Sequence, residues 1–114
     1  ANEKQAEPER VTLALGEDGP KAVDIDLQEE GVYHSLTYVP KEDTKDGLVL
    51  NYEIYASDDL VTWKRWLGGE FSNIENNPVP QTVKLPAIKT SYLKLVATRL
   101  LKGEKMQWQE IIVR

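Results

Sequence analysis

Short runs of alternating apolar and polar residues, each stopped by Gly, Pro, Asn or Asp, set the strongest limit on what this chain can fold into. Alternation with a period of two puts every second side chain on the same face of an extended strand. Residues 22–27 show it most clearly: Val23, Ile25 and Leu27 share one face, and Asp24 and Asp26 the other. Residues 50–57 repeat the pattern with Tyr52, Ile54 and Ala56. Residues 11–15 alternate as far as a turn cluster at 16–20. Residues 31–39 are rich in β-branched and aromatic side chains and end at Pro40. Residues 61–67 run up to Gly68 and Gly69, which read as an interruption. Segments 81–85, 91–97 and 107–113 complete the set, while 41–47 and 72–80 read as loops.

No segment sustains a period of 3.6 residues with caps, and no repeat of about 20–50 residues is present. About eight short strands divided by turn residues predict an all-β fold, an antiparallel β-sandwich of the jelly-roll type. A length of 114 residues suits one domain. Residues 1–10 are polar and charged and read as a flexible segment or linker, with 11–114 as the single domain. That leading segment has no signal-peptide apolar core and does not begin with Met. The chain therefore reads as a piece of a longer protein or as a mature product.

Fourteen Lys and Arg against 19 Asp and Glu leave a net charge of −5, which argues against a nucleic-acid partner. No apolar run approaches the roughly 20 residues of a membrane span. Without Cys there are no disulfides, thiolate metal sites or Cys nucleophiles. His34, the only histidine, falls in a predicted strand and reads as a surface or sheet-packed residue. No Gly-x-Ser-x-Gly elbow accompanies it.

Carboxylates gather at Glu42, Asp43 and Asp46, and again at Asp58 and Asp59. Paired acids are the chemistry of glycoside hydrolysis, and loop oxygens suit calcium. Neither cluster has the spaced Asp-x-Asp-x-Asp-Gly of a calcium loop, and loop acids are ordinarily hydrated. Trp63, Trp66 and Trp108 are the aromatic candidates for stacking on a sugar ring. Trp63 and Trp66 lie three apart and so face opposite ways in a regular strand. Trp63 and Trp108 are assigned to the core and Trp66 to the surface. A core Trp63 predicts a cost of about 3–5 kcal/mol for Trp63→Ala.

Several motifs occur in a recognisable order: residues 38–41 (Tyr-Val-Pro-Lys), an acidic loop ending in Gly47, and residues 52–59 followed by Trp63. Residues 69–71, 81–83, 91–95 and 110–113 continue it. Over about residues 22–114 the chain resembles the discoidin, or coagulation-factor type C, domain, and most of all the bacterial family 32 carbohydrate-binding modules. Fewer residues precede Ala22 than in that family. Lys41 stands where the family has Arg, and the stretch 103–107 lacks the aromatic often found at its tip.

The resemblance implies a non-catalytic, carbohydrate-binding-type module, an accessory domain of a secreted, periplasmic or cell-surface bacterial glycoside hydrolase. Galactose-type or amino sugars are the implied ligands, held by Lys41, Glu42, Asp43, Asp46 and Trp66. The competing expectation is a spacer that braces a neighbouring catalytic domain of the same chain or docks a protein, without a sugar site. No cofactor is expected. Glu110 is the single metal-ligand candidate that carries over, too few oxygens for a structural calcium ion.

Overall fold

In a computed structural model of the chain, residues 10–11, 14–17, 19–87 and 89–114 are described. They form nine strands: β1 (Arg10–Val11), β2 (Ala14–Glu17), β3 (Ala22–Val32), β4 (Ser35–Val39), β5 (Val49–Ser57), β6 (Lys64–Glu70), β7 (Gln81–Lys84), β8 (Lys89–Leu100) and β9 (Glu110–Val113). Two antiparallel sheets result, ordered β1-β9-β4-β7 and β2-β3-β8-β5-β6. The all-β sandwich read from the alternation is therefore present. The segment expected as one strand over 11–15 serves both sheets, because β1 pairs with β9 and β2 with β3. Of the expected leading linker, residues 1–9 lie outside the described residues, while Arg10 pairs with Val113.

The alternation becomes a core in the expected way. Val23, Ile25 and Leu27 of β3 are buried on the same face as Leu93, Leu95 and Ala97 of β8 and Ile54 of β5. Leu36, Tyr38, Ile111 and Val113 meet them from the other sheet. Each such side chain contributes about 1.5–3 kcal/mol by leaving water. Beneath one end of the sandwich, Phe71 bridges the sheets. Its ring stacks on Tyr38 of β4 (centroids 5.4 Å apart) and on Tyr52 of β5 (4.5 Å).

Three local expectations are corrected. The strand expected over 31–39 breaks at Tyr33 and His34, where the chain passes from the five-stranded sheet to the four-stranded one. His34 is exposed in that link, its amide bonded to the Arg114 carbonyl. Gly68 and Gly69 do not end a strand. They continue β6 opposite Glu53 and Tyr52, and the missing Cβ of Gly69 leaves room for the Tyr52 ring.

The third correction concerns the tryptophans. Ile54 pairs with Leu67 but Tyr55 pairs with Arg65, so Trp66 is an extra residue in β6. One inserted residue reverses the facing of everything before it. Trp66 accordingly packs half-buried against the core instead of lying exposed. Trp63 is turned to the outer face of the five-stranded sheet instead of the core. There the Lys94 ammonium sits 4.5 Å from its ring centre and 3.8 Å from Asp24. Trp108, ahead of β9, is half-buried against the core.

Candidate functional site

Three connections meet at one end of the sandwich: 40–48 between β4 and β5, 71–80 between β6 and β7, and 101–109 between β8 and β9. The first and third are stitched together through their backbones. The Gly47 amide donates to the Lys102 carbonyl at 2.8 Å, and the Gln107 amide donates to the Gly47 carbonyl at 3.0 Å. Leu101 N–H donates to Leu48 C=O at 3.0 Å. Such close approach requires glycine: a Cβ on Gly47 would lie 2.5 Å from the Lys105 carbonyl oxygen, and its φ is +77°.

Tyr38 braces both loops from below. Its buried hydroxyl donates to the Gln107 carbonyl at 2.8 Å and accepts from the Val49 amide at 3.1 Å. Burial raises its pKa above the ordinary 10.0, against a smaller lowering by the Val49 hydrogen bond, so the hydroxyl stays a donor.

Above this brace lies a cavity of about 320 Å³, lined by Lys41, Glu42, Asp43, Thr44, Lys45, Leu48, Pro78 and Lys102. Its volume is at the small end of ligand pockets, enough for a sugar unit rather than a long chain. Leu48 is buried and gives the cavity an apolar floor. Among the described residues, none of its lysines has a carboxylate within 4 Å.

Of the sequence candidates, the structure brings Lys41, Glu42 and Asp43 together in this cavity. Asp46 borders it: its amide donates to the Thr44 hydroxyl oxygen at 3.0 Å, and its backbone bridges to Lys102. Trp66 does not line it. It sits in β6 with its indole Nε1 sealed from solvent and without a hydrogen-bond partner. Glu110 stands on β9 opposite Val39, and no group of three His, Cys, Asp or Glu side chains fit to hold a metal ion occurs among the described residues. Lys45, Leu48, Pro78 and Lys102 were not read from the sequence as site residues. Gly47 and Gly103, both at positive φ in charged turns, were the local signal that these two loops bend sharply.

The second acidic cluster has a structural task. The Asp59 carboxylate accepts from the Val61 and Thr62 amides (2.9 and 2.8 Å) and from the Ser57 hydroxyl (3.0 Å). Hydrogen bonds from Thr62, Val61 and Ser57, in that order, hold its pKa below the ordinary 3.8. A group so engaged is spent on shaping the β5–β6 turn.

A family model for the F5/8 type C domain matches residues 11–112. This chain belongs to the F5/8 type C domain family. Among solved structures, the domain is similar to part of a glycoside hydrolase 29 family member from an unknown rumen bacterium. The two are 36% identical with a TM-score of 0.81, over 87% of this chain and 18% of that one. It is also similar to a family 32 module from a family 31 glycoside hydrolase of Clostridium perfringens. There the identity is 20% and the TM-score 0.74, over 92% of this chain and 72% of the other. The family 32 carbohydrate-binding module of Clostridium perfringens NanJ, solved in complex with galactose, is 21% identical with a TM-score of 0.70, over 88% and 67%. The last two likenesses speak to the fold alone. The domain spans less than a fifth of the glycoside hydrolase 29 chain. No curated protein matches the chain. Among the described residues, no helix is long and apolar enough to cross a membrane.

Proposed function

We propose that this F5/8 type C domain is a non-catalytic carbohydrate-binding module, an accessory part of a secreted bacterial glycoside hydrolase, and that the 320 Å³ cavity takes the sugar. The observation that carries this reading is the convergence there of Lys41, Glu42 and Asp43 with Lys102 from a second loop. Sugar hydroxyls donate and accept, so a site needs both kinds of partner over an apolar floor. Ammonium donors, carboxylate acceptors and Leu48 supply them. Galactose-type sugars are the class to test first, since a module of the same fold was solved in complex with galactose. One shallow site without an aromatic platform gives a millimolar-range Kd, about −4 kcal/mol.

Amide chemical-shift titration with galactose, N-acetylgalactosamine and fucose tests the reading. Shifts are expected at residues 41–48, Val79 and Lys102. Shifts confined elsewhere move the site, and none at tens of millimolar sugar overturns it.

The lack of an aromatic side chain around the cavity favours a second reading, a spacer that braces a neighbouring catalytic domain. Absence of any sugar response, together with loss of activity or stability when the domain is cut from its parent, would establish it.

A further inference from the structure

We infer that the end of the sandwich opposite the cavity is a docking surface for the neighbouring domain of the same polypeptide, with Val61, Leu60 and Val32 as its apolar contacts; this rests on the reading that the domain is an accessory part of a longer protein. Both β5 and β9 start beside the cavity, so Ser57 and Val113, where they finish, mark the far end. Strand β8 runs the other way and begins there at Lys89, paired with Val32. Among the described residues the exposed large apolar side chains are Val61 (79%), Val32 (48%), Val79 (43%) and Leu60 (38%). All of these but Val79 stand at the far end.

The three belong to one surface. The turn after β5 and Lys89 line a common cavity of about 280 Å³, and Val32 is the strand partner of Lys89. Asp58, Asp59, Lys64 and Lys89 edge that cavity, two charges of each sign. Apolar contacts inside a polar, charge-balanced rim are the usual anatomy of a protein interface.

The tip is also rigid. The Ser57 hydroxyl oxygen accepts from the Asp59 and Leu60 amides at 3.1 and 3.0 Å, while the Asp59 carboxylate holds the Val61 and Thr62 amides. A tip already fixed loses little conformational freedom on docking. Leu60 sits there at φ +65° with its side chain exposed. In the free domain this leucine costs backbone strain and gains little packing; a partner surface gives the side chain something to contact.

The occupant follows from the strands that open and close the domain. Arg10 of β1 pairs with Val113 of β9, and the His34 and Ser35 amides both donate to the Arg114 carbonyl, at 2.6 and 3.1 Å. Both strands therefore meet the far end, two residues from Val32. A domain joined through either strand starts on the surface that carries these apolar residues. The similar part of the glycoside hydrolase 29 family member makes up 18% of that chain, so a domain of this kind occurs joined to a much larger remainder. Docking here leaves the cavity facing away from the neighbour, open to ligand.

The test compares hydrogen exchange of this 114-residue chain with that of the intact polypeptide that carries it. Amides of residues 31–34 and 61–64 are expected to exchange about tenfold more slowly in the intact polypeptide, and those of 41–48 alike in both. Val61→Ser should remove the protection at 31–34, outside its own turn, without lowering the melting temperature of the 114-residue chain. Leu60→Gly separates docking from stability: it should raise that melting temperature while protection at 31–34 falls. Equal exchange at the far end in both forms overturns the docking and keeps the accessory reading. Protection that survives both substitutions overturns the contacts assigned to it. A dimer of the 114-residue chain that Val61→Ser dissolves overturns the proposal in favour of a second copy. A gene that encodes no domain beside this one fells the accessory reading itself.

Discussion

The hydroxyl of Tyr38 donates to the main-chain carbonyl of Gln107, 69 residues further along the chain, at 2.8 Å. The same oxygen accepts from the Val49 amide, so one buried side chain on β4 ties down both loops that form the cavity. Tyr38→Phe keeps the stacking on Phe71 but leaves a buried donor and acceptor unpaired. It is expected to cost about 1–3 kcal/mol, read as a lower melting temperature. Sugar affinity should fall with it, because the loops lose their common anchor. A variant that melts like the parent would show that the hydroxyl is not what holds them.

Gly47 is the second support. Gly47→Ala combines a left-handed φ with a Cβ pressed on the Lys105 carbonyl, so the two loops must separate. An expected loss of roughly 2–4 kcal/mol follows. In amide spectra, the perturbation should centre on residues 45–48 and 101–107. Perturbation spread evenly over both sheets would point instead to general loosening.

Leu60 runs the other way. It has φ +65° in the turn shaped by Asp59, in the left-handed region that favours Gly. A branched side chain in that region costs about 1–2 kcal/mol. Leu60 is exposed, so its removal forfeits little packing. Leu60→Gly should therefore stabilise by about 1 kcal/mol, a rise of roughly 4 °C in Tm. Any fall in Tm would mean that the exposed leucine contributes contacts beyond those of the turn.

The sheets were legible because alternation is local. Val23, Ile25 and Leu27, or Tyr52 and Ile54, declare their face within a few residues, and the structure buries them accordingly. A bulge is not local in this sense. Nothing in residues 61–67 shows that Trp66 is supernumerary. Only the pairing with β5 does, and from it Trp63 turns outward. The cavity divides the same way. Lys41, Glu42 and Asp43 are neighbours in one charged loop and could be read together. Lys102 reaches them from a distant part of the chain through backbone bonds that carry no side-chain signature, and Pro78 comes from a third loop.

The two tryptophans give a direct comparison. Trp63 stands on the outer face with a cation over its ring, an arrangement contributing about 0.5–1 kcal/mol where solvent is near. Trp66 packs against the core. Trp63→Ala is now expected to cost about 1–2 kcal/mol, less than the 3–5 of a core aromatic and less than Trp66→Ala. Chemical denaturation of both variants checks the order. A larger loss for Trp63→Ala would restore it to the interior and remove the bulge from the argument.

Acid stability follows from Asp59. Its folded-state pKa is lowered by the bonds from Thr62, Val61 and Ser57, so it stabilises the fold only when ionised. The contribution is complete above the ordinary value of 3.8 by about one unit, and it is lost as pH falls through 3.8 to the lowered folded value. Glu53, lowered by its hydrogen bonds from Tyr55 and Arg65, adds in the same direction. Asp59→Asn keeps an acceptor for the two amides but cannot be ionised. Near pH 6 the variant should melt below the parent. The gap should close as pH falls from 5 toward 2.5, because the parent then loses what the variant never had. Melting curves of both proteins across that range decide it. A gap that stays constant would show that the carboxylate's shape, and not its charge, holds the β5–β6 turn.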